Sequence, residues 1–389
     1  MRIQQTPKKP KTSITLATML ALIASIVAGC TGLEPAPGST SATGMPATTT
    51  SSPFDPTTTK PPKPTGPLLA YRAADEIGLV DGTSVIATAP GAFDPSNDLI
   101  TTEDGRFVFA RTTDNQVVTL DVASQKAATR AVPVGPVLGT GGGSTIVWWE
   151  QPNRLMQLDL AEPNSQPTVQ QVVDLPPVAG GNPGAPRLLV ARGGTAIIAR
   201  VEAAPSPFGG PDTLYAVRGP GAPTPLGQAD ANSPVSVARL SPDGASLAYA
   251  LYRSADSTCG TAALVMSDAN GTQQTFDVAG PDAGAGSRVP KLWWPATGPP
   301  RLSLATWRCD RPETYSPLVW QLTPDRIEQI APPTSALQTA DVTAGQRALI
   351  LPQTGSYTEP AGTLVLEESA RRISIKDGVD AIAVIQPSP

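Results

Sequence analysis

Asp310 and Glu313, three residues apart in RCDRPETYSP (308–317), are the pair in this chain best suited to acid–base chemistry. A protonated carboxylic acid facing an ionised carboxylate is the set that cleaves glycosidic bonds. Arg308 and Arg311 flank the pair, and opposite charges this close on a loop also make a solvated ion-pair cluster that does no chemistry. Composition removes other mechanisms. The chain has 389 residues and no histidine. A Ser-His-Asp triad, an imidazole base and a His-ligated metal are all excluded. No glycine-rich phosphate loop joins a strand to a helix, and no calcium loop is recognisable. Asp104 and Asp243 sit in turn sequences and read as turn formers. No catalytic residue, metal ligand or cofactor is assigned, and a non-enzymatic protein is expected.

The elements that position these residues read as strands. Pro (44) and Gly (35) are too abundant for helical packing and fit many turns between short strands. The clearest unit is VARLSPDGASLAYALY (237–252), two apolar runs joined by Ser241, Pro242, Asp243 and Gly244. Pro242 presets φ, Asp243 can bond its own backbone and Gly244 supplies a positive φ, so a β-hairpin with one buried face is expected. Weaker copies recur every 40–50 residues or so, the period of a propeller or another repeat array. Aligned on the glycine before the second strand, they fall at Gly66, Gly105, Gly143, Gly194, Gly244, Gly298 and Gly345. Two further strands follow each turn; in the fifth unit they are TAALVMSD and TQQTFDV, joined through Asn270-Gly271. The first unit has only three strands, LLAYRA, EIGLVDG and TSVIATA, while the chain ends in the apolar GVDAIAVIQP. A C-terminal strand completing the first sheet would close the ring and leave no long open edge. The fold class expected is all-β: a single β-propeller of seven four-stranded blades, its first blade closed by the C-terminal strand. Six blades is the alternative count and a pair of β-sandwiches the alternative architecture.

The N-terminus has an export pattern. Arg2, Lys8, Lys9 and Lys11 precede an apolar run (14–27) too short for a comfortable membrane span. The run ends in Val27-Ala28-Gly29-Cys30, which resembles the lipobox of bacterial lipoproteins. That resemblance implies cleavage before Cys30, diacylation of its thiol, and stable anchoring on the outer face of the cell membrane. The organisation expected is a signal peptide (1–29), a Thr/Pro-rich tether (30–64) whose composition cannot bury a core, and a propeller (65–389). Without the signal, 24 basic residues face 33 acidic ones, a net charge of −9. No basic stripe remains for nucleic acid. With Cys30 given to lipid, Cys259 and Cys309 remain. An oxidising compartment favours a disulfide between them, in equivalent loops of neighbouring units; two unrelated buried thiols are the alternative.

The turns at 241–244 and 102–105 (TEDG), each followed by a small apolar strand, resemble the WD40-like repeat of TolB-type propellers. The composition, rich in Ala, Pro, Thr and Gly, and the stalk-like tether resemble actinobacterial lipoproteins. On a propeller, the link between a blade's second and third strands shares a face with the links between blades. That inner link is long in units four to seven: EAAPSPFGGPDT (202–213), RSADSTCG (253–260), RCDRPETYSP (308–317) and QTGSYTEPAG (353–362). Long loops on a rigid scaffold are where binding concentrates. The candidate binding residues they carry are Phe208, Arg253, Arg308, Asp310, Arg311, Glu313, Tyr315 and Tyr357, types that anchor interfaces; a variable, solvated rim is the other reading. Trp148-Trp149 and Trp293-Trp294 should send one ring of each pair to either sheet face, mostly for packing. The function expected is a monomeric, lipid-anchored envelope module that binds or scaffolds a protein or envelope glycan. The alternative is a propeller hydrolase or lyase acting on envelope carbohydrate through carboxylates such as Asp310 and Glu313.

Overall fold

The computed structural model describes residues 66–385 except 180–181, 203–208, 231–232, 255–258, 279–284, 315–316, 324, 354–359 and 370, with backbone alone at 254 and 311–314. The expected signal, Cys30 and the tether lie outside the described residues. All that is described falls within the compact unit Thr59–Pro389. Among the described residues every regular element is a strand.

The chain opens with β1 (Leu68–Ala73), β2 (Glu76–Asp81) and β3 (Ser84–Pro90). The second sheet is β4 (Leu99–Thr101), β5 (Phe107–Arg111), β6 (Val117–Asp121) and β7 (Ala127–Arg130). The third is β8 (Leu138–Thr140), β9 (Thr145–Glu150), β10 (Arg154–Asp159) and β11 (Thr168–Val172). The fourth is β12 (Arg187–Arg192), β13 (Thr195–Val201), β14 (Asp212–Arg218) and β15 (Thr224–Gln228). The fifth is β16 (Val235–Leu240), β17 (Leu247–Ser254), β18 (Gly260–Ser267) and β19 (Gln273–Val278). The sixth is β20 (Ala285–Trp293), β21 (Arg301–Arg308), β23 (Leu318–Leu322) and β24 (Ile327–Gln329), with the short β22 (Arg311–Thr314) pairing back on β21. Last come β25 (Gln338–Thr343), β26 (Gln346–Pro352), β27 (Gly362–Glu368) and β28 (Arg371–Ile385). Successive strands in each sheet are antiparallel neighbours, so each sheet is a meander.

These sheets form a β-propeller. The leading strands adjoin in series: β28 meets β4, β4 meets β8, β8 meets β12, β12 meets β16, β16 meets β20, and β25 meets β28. Seven separate four-stranded blades were the expectation, with six as the alternative. The structure instead has five separate blade-sized sheets and one continuous seven-stranded sheet, ordered β25-β26-β27-β28-β1-β2-β3. The reason lies in β28. Its first half pairs with β27, from Glu368↔Arg371 to Gly362↔Val379, and its second half pairs with β1, from Ala73↔Val379 to Leu68↔Ile385. One strand therefore joins the last unit to the first. Closure of the first unit by the C-terminal strand is thus observed, in the register Leu69↔Val384 and Tyr71↔Ile382.

The turn alignment holds at six of its seven glycines. Gly105, Gly143, Gly194, Gly244, Gly298 and Gly345 all have positive φ, between 56° and 90°. Gly66 differs, since it precedes β1 instead of sitting between paired strands. At 241–244 the Gly244 amide donates to the Ser241 carbonyl (2.9 Å), while Asp243 Oδ1 accepts from the Ser241 hydroxyl and the Ala245 amide. Those bonds hold the Asp243 carboxyl below its usual range, the Ser241 hydroxyl foremost. The turn at 102–105 repeats this, with the Thr102 hydroxyl 2.6 Å from Asp104 Oδ1. Gly244 has a second constraint. A Cβ there would lie 2.6 Å from the Arg192 carbonyl oxygen, because turns of the fourth and fifth sheets stack directly.

The hairpin expected to bury one face buries both. Leu247, Tyr249 and Leu251 face the fourth sheet, packing with Ile197, Leu214 and Leu226. Ala248 and Ala250 face the sixth, with Leu292, Leu302 and Leu304. The same geometry covers both members of the first Trp pair, with Trp148 packed toward the second sheet and Trp149 toward the fourth. Radial sheets present two inner faces, so the middle strands read as near-continuous apolar runs. Outer strands show the contrast: β11 is almost wholly exposed, including Val169 and Val172.

Candidate functional site

Antiparallel order fixes two faces. One carries the turns between first and second strands and between third and fourth. The opposite, loop-bearing face carries the links between second and third strands and from sheet to sheet.

The structure places part of the expected rim on this loop face. Phe208, Tyr315 and Tyr357 lie outside the described residues, and Arg311 and Glu313 are described as backbone only, in β22. Arg308 and Asp310 close the β21–β22 hairpin end, with Arg308 Nε and Nη2 each 3.1 Å from a carboxylate oxygen of Asp310. Their side chains are 45% and 63% exposed, so the pair is a surface ion pair. Arg253 ends β17 and clamps two carboxylates: Asp230, after β15, at 2.8 Å, and Asp277 of β19. Burial alone would lower the Arg253 pKa; Asp230 and Asp277 together outweigh it and raise it.

Cys259 and Cys309 form a disulfide with Cα atoms 5.4 Å apart, across a separation of 50 residues. It ties the inner link of the fifth sheet to that of the sixth. Intact protein should gain two hydrogens in mass on reduction, and two free thiols before reduction would contradict the bridge. A Cys259→Ser/Cys309→Ser variant should lose about 2–4 kcal/mol in denaturant titration.

Sequence reading missed a charged cluster at the centre of the ring. A register shift between Arg72 and Ala73 leaves Asp380 unpaired with β1. The resulting bulge re-aims side chains: Arg72, fully buried, donates from Nε to Asp380 Oδ1 at 2.8 Å. The link from β3 to β4 brings in Pro95 and Asp98. Arg239, on β16, pairs with Asp98 across 141 residues of chain. Lys291, on β20, and Arg72 both reach the Pro95 carbonyl, at 3.5 and 3.4 Å. Nothing in the local sequence predicts this set, because its members come from separate sheets. Charges on three leading strands, Arg239 of β16, Lys291 of β20 and Asp380 of β28, are the signal that could have found part of it.

On the turn face, Glu103 bridges three sheets. Its Oε1 accepts from the Thr140 hydroxyl at 2.9 Å and the Gly193 amide at 2.7 Å. Among the described residues no group of three or more Cys, Asp or Glu is arranged to hold a metal ion.

No family model matches the chain, and no curated protein matches it either. Solved structures do resemble it. The Cps50 (Swd1) β-propeller domain of Myceliophteria thermophila shares 12% identity over 75% of this chain and 92% of that one, with a TM-score of 0.49. Oligogalacturonate lyase from Vibrio parahaemolyticus shares 11% over 80% and 79%, with a TM-score of 0.46. BamB from Moraxella catarrhalis shares 11% over 74% and 91%, with a TM-score of 0.37.

Proposed function

We propose that this chain is a binding or scaffold module, exported and lipid-anchored through Cys30, which holds a protein or glycan of the bacterial envelope on its loop-bearing face. One observation carries the reading: the Cys259–Cys309 bridge joins the inner links of the fifth and sixth sheets on that face; the fifth sheet's link, expected to be long, spans only the five residues between Ser254 and Gly260, as many as separate Arg111 from Val117 in the second. A covalent tie between neighbouring links favours a preformed surface. Arg253, Arg308 and Asp310 are on it, beside backbone that carries Arg311 and Glu313. The lipobox-like Val27-Ala28-Gly29-Cys30 supports the anchor, and the tether composition supports a spacer between membrane and propeller. The reading is non-enzymatic. Asp310, the described member of the carboxylate pair, spends both oxygens on Arg308 in open solvent.

Charge reversal tests it. Arg308→Glu combined with Arg253→Gln should weaken capture of the envelope partner, crosslinked in intact cells, by roughly thirtyfold if these are anchors worth about 2 kcal/mol. Arg326→Glu, on the turn face, should leave capture unchanged. Equal capture by all three proteins would end the proposal.

A further inference from the structure

A cleft in the last unit carries an inference beyond partner binding at the rim. Asp341, Arg347, Glu367 and Arg372 stand opposite one another across β25, β26, β27 and β28. Alternation places Arg347 and Glu367 on the face of Leu349 and Val365, which pack with Trp293 and Val319 of the sixth sheet. Arg301 reaches across from that sheet to Asp341 at 2.8 Å. At the turn-face end of this row is an open cleft of about 590 Å³, walled by the β25–β26 and β27–β28 turns. Sites for small ligands run from about 300 to 1,000 Å³.

The charged groups of the cleft are already matched. Glu367 Oε1 accepts from Arg347 Nε at 2.7 Å, and Oε2 accepts from Arg372 Nε at 2.6 Å. Burial alone would raise the Glu367 pKa; the hydrogen bonds from Arg372 and Arg347 outweigh it and hold the carboxyl below its usual range. Glu367 is therefore an ion with no proton to give, which suits binding and not acid catalysis. Val342 and Ala344 bring the only apolar side chains among the lining residues, so the cleft does not suit an apolar ligand. An anion would face Asp341 and Glu367, and a cation would face Arg347. A hydroxyl group both donates and accepts, and meets neither penalty. Suitable partners line the cleft: the Thr343 and Ser369 hydroxyls, the Gln346 amide, and Asp341, whose side chain is 57% exposed and meets Arg301 through Oδ2.

We infer that this cleft is a binding site for a small neutral saccharide, whose hydroxyls bond to Asp341, Thr343, Gln346 and Ser369. It opens on the turn face, opposite the rim that holds the envelope partner, and shares no residue with that rim. Either can fail alone.

Saturation-transfer NMR on the full chain tests it, with glucose, galactose and N-acetylglucosamine as probes. Glucuronate and galacturonate, which carry a carboxylate in place of the hydroxymethyl group, are the charged counterparts. At least one neutral sugar should give a saturable signal, and both uronates should bind more weakly than that sugar. Gln346→Leu/Ser369→Gly removes an amide and a hydroxyl, and glycine accepts the φ of 56° at position 369. This variant should bind the same sugar about tenfold more weakly, the loss of two net hydrogen bonds, with its unfolding midpoint unchanged or higher. Equal affinity in wild type and variant would put the sugar elsewhere and overturn the site. No saturable signal from any neutral sugar would overturn it as well. A uronate that binds more tightly than every neutral sugar would overturn the ligand class.

Discussion

Ending the chain after Gly378 is expected to unfold the whole propeller. The lost segment, residues 379–385, is the strand that pairs with β1 at six positions and carries Val379, Ile382 and Ile385 into two apolar clusters. Those side chains pack with Leu69, Tyr71, Ile350 and Leu364 on one side and with Leu68, Ala70 and Ile77 on the other. Burial of a large aliphatic side chain stabilises by about 1.5–3 kcal/mol. Three such losses already approach the roughly 5–15 kcal/mol that holds a domain folded. Truncation also opens the edge of β1, a template for aggregation. Circular dichroism and size exclusion should show an unfolded or aggregated chain. A truncated protein that melts cooperatively at the wild-type midpoint would contradict the pairing. Adding residues 379–389 as a separate peptide should restore part of the loss.

Asp380→Ala is expected to cost about 3–5 kcal/mol, the penalty of a buried charge whose partner is gone. Arg72 cannot reach water from its position and would keep only the Pro95 carbonyl at 3.4 Å. The double variant Arg72→Met/Asp380→Leu removes both charges and should recover most of that loss, since apolar side chains of similar size often replace buried pairs at little cost. The urea midpoint measures both, with the slope unchanged. A single variant as stable as wild type, or a double variant less stable than Asp380→Ala, would show that the pair does not work this way.

The propeller was legible because its signals are local. Asp243-Gly244 and Asp104-Gly105 announce their turns through side-chain and φ chemistry that depends on a few neighbouring residues. The apolar tail and the three-stranded first unit announced the closure. The junction of the two end units was less legible: RRISIKD and GVDAIAVIQP read as two strands, yet Gly378, at φ 72°, lets the backbone continue as one. Periodicity also suggested hairpins with one buried face, whereas a radial sheet covers both. The disulfide followed from compartment and repeat register, and it is present. The central cluster was not legible, since Arg72, Asp98, Arg239 and Lys291 meet only once the ring exists. Arg253 was singled out for its residue type; that it clamps Asp230 and Asp277, 23 and 24 residues away, depends on how the fifth sheet assembles beside the end of the fourth.

Site-specific photo-crosslinking in the intact envelope tests the functional reading most directly. A photoreactive residue would stand in turn at 253 or 310 on the loop-bearing face, and at 245 or 326 on the turn face. The account predicts one discrete adduct from the first two positions and none from the others. Adducts confined to 245 and 326, with 253 and 310 silent, would show that the protein works from its opposite face.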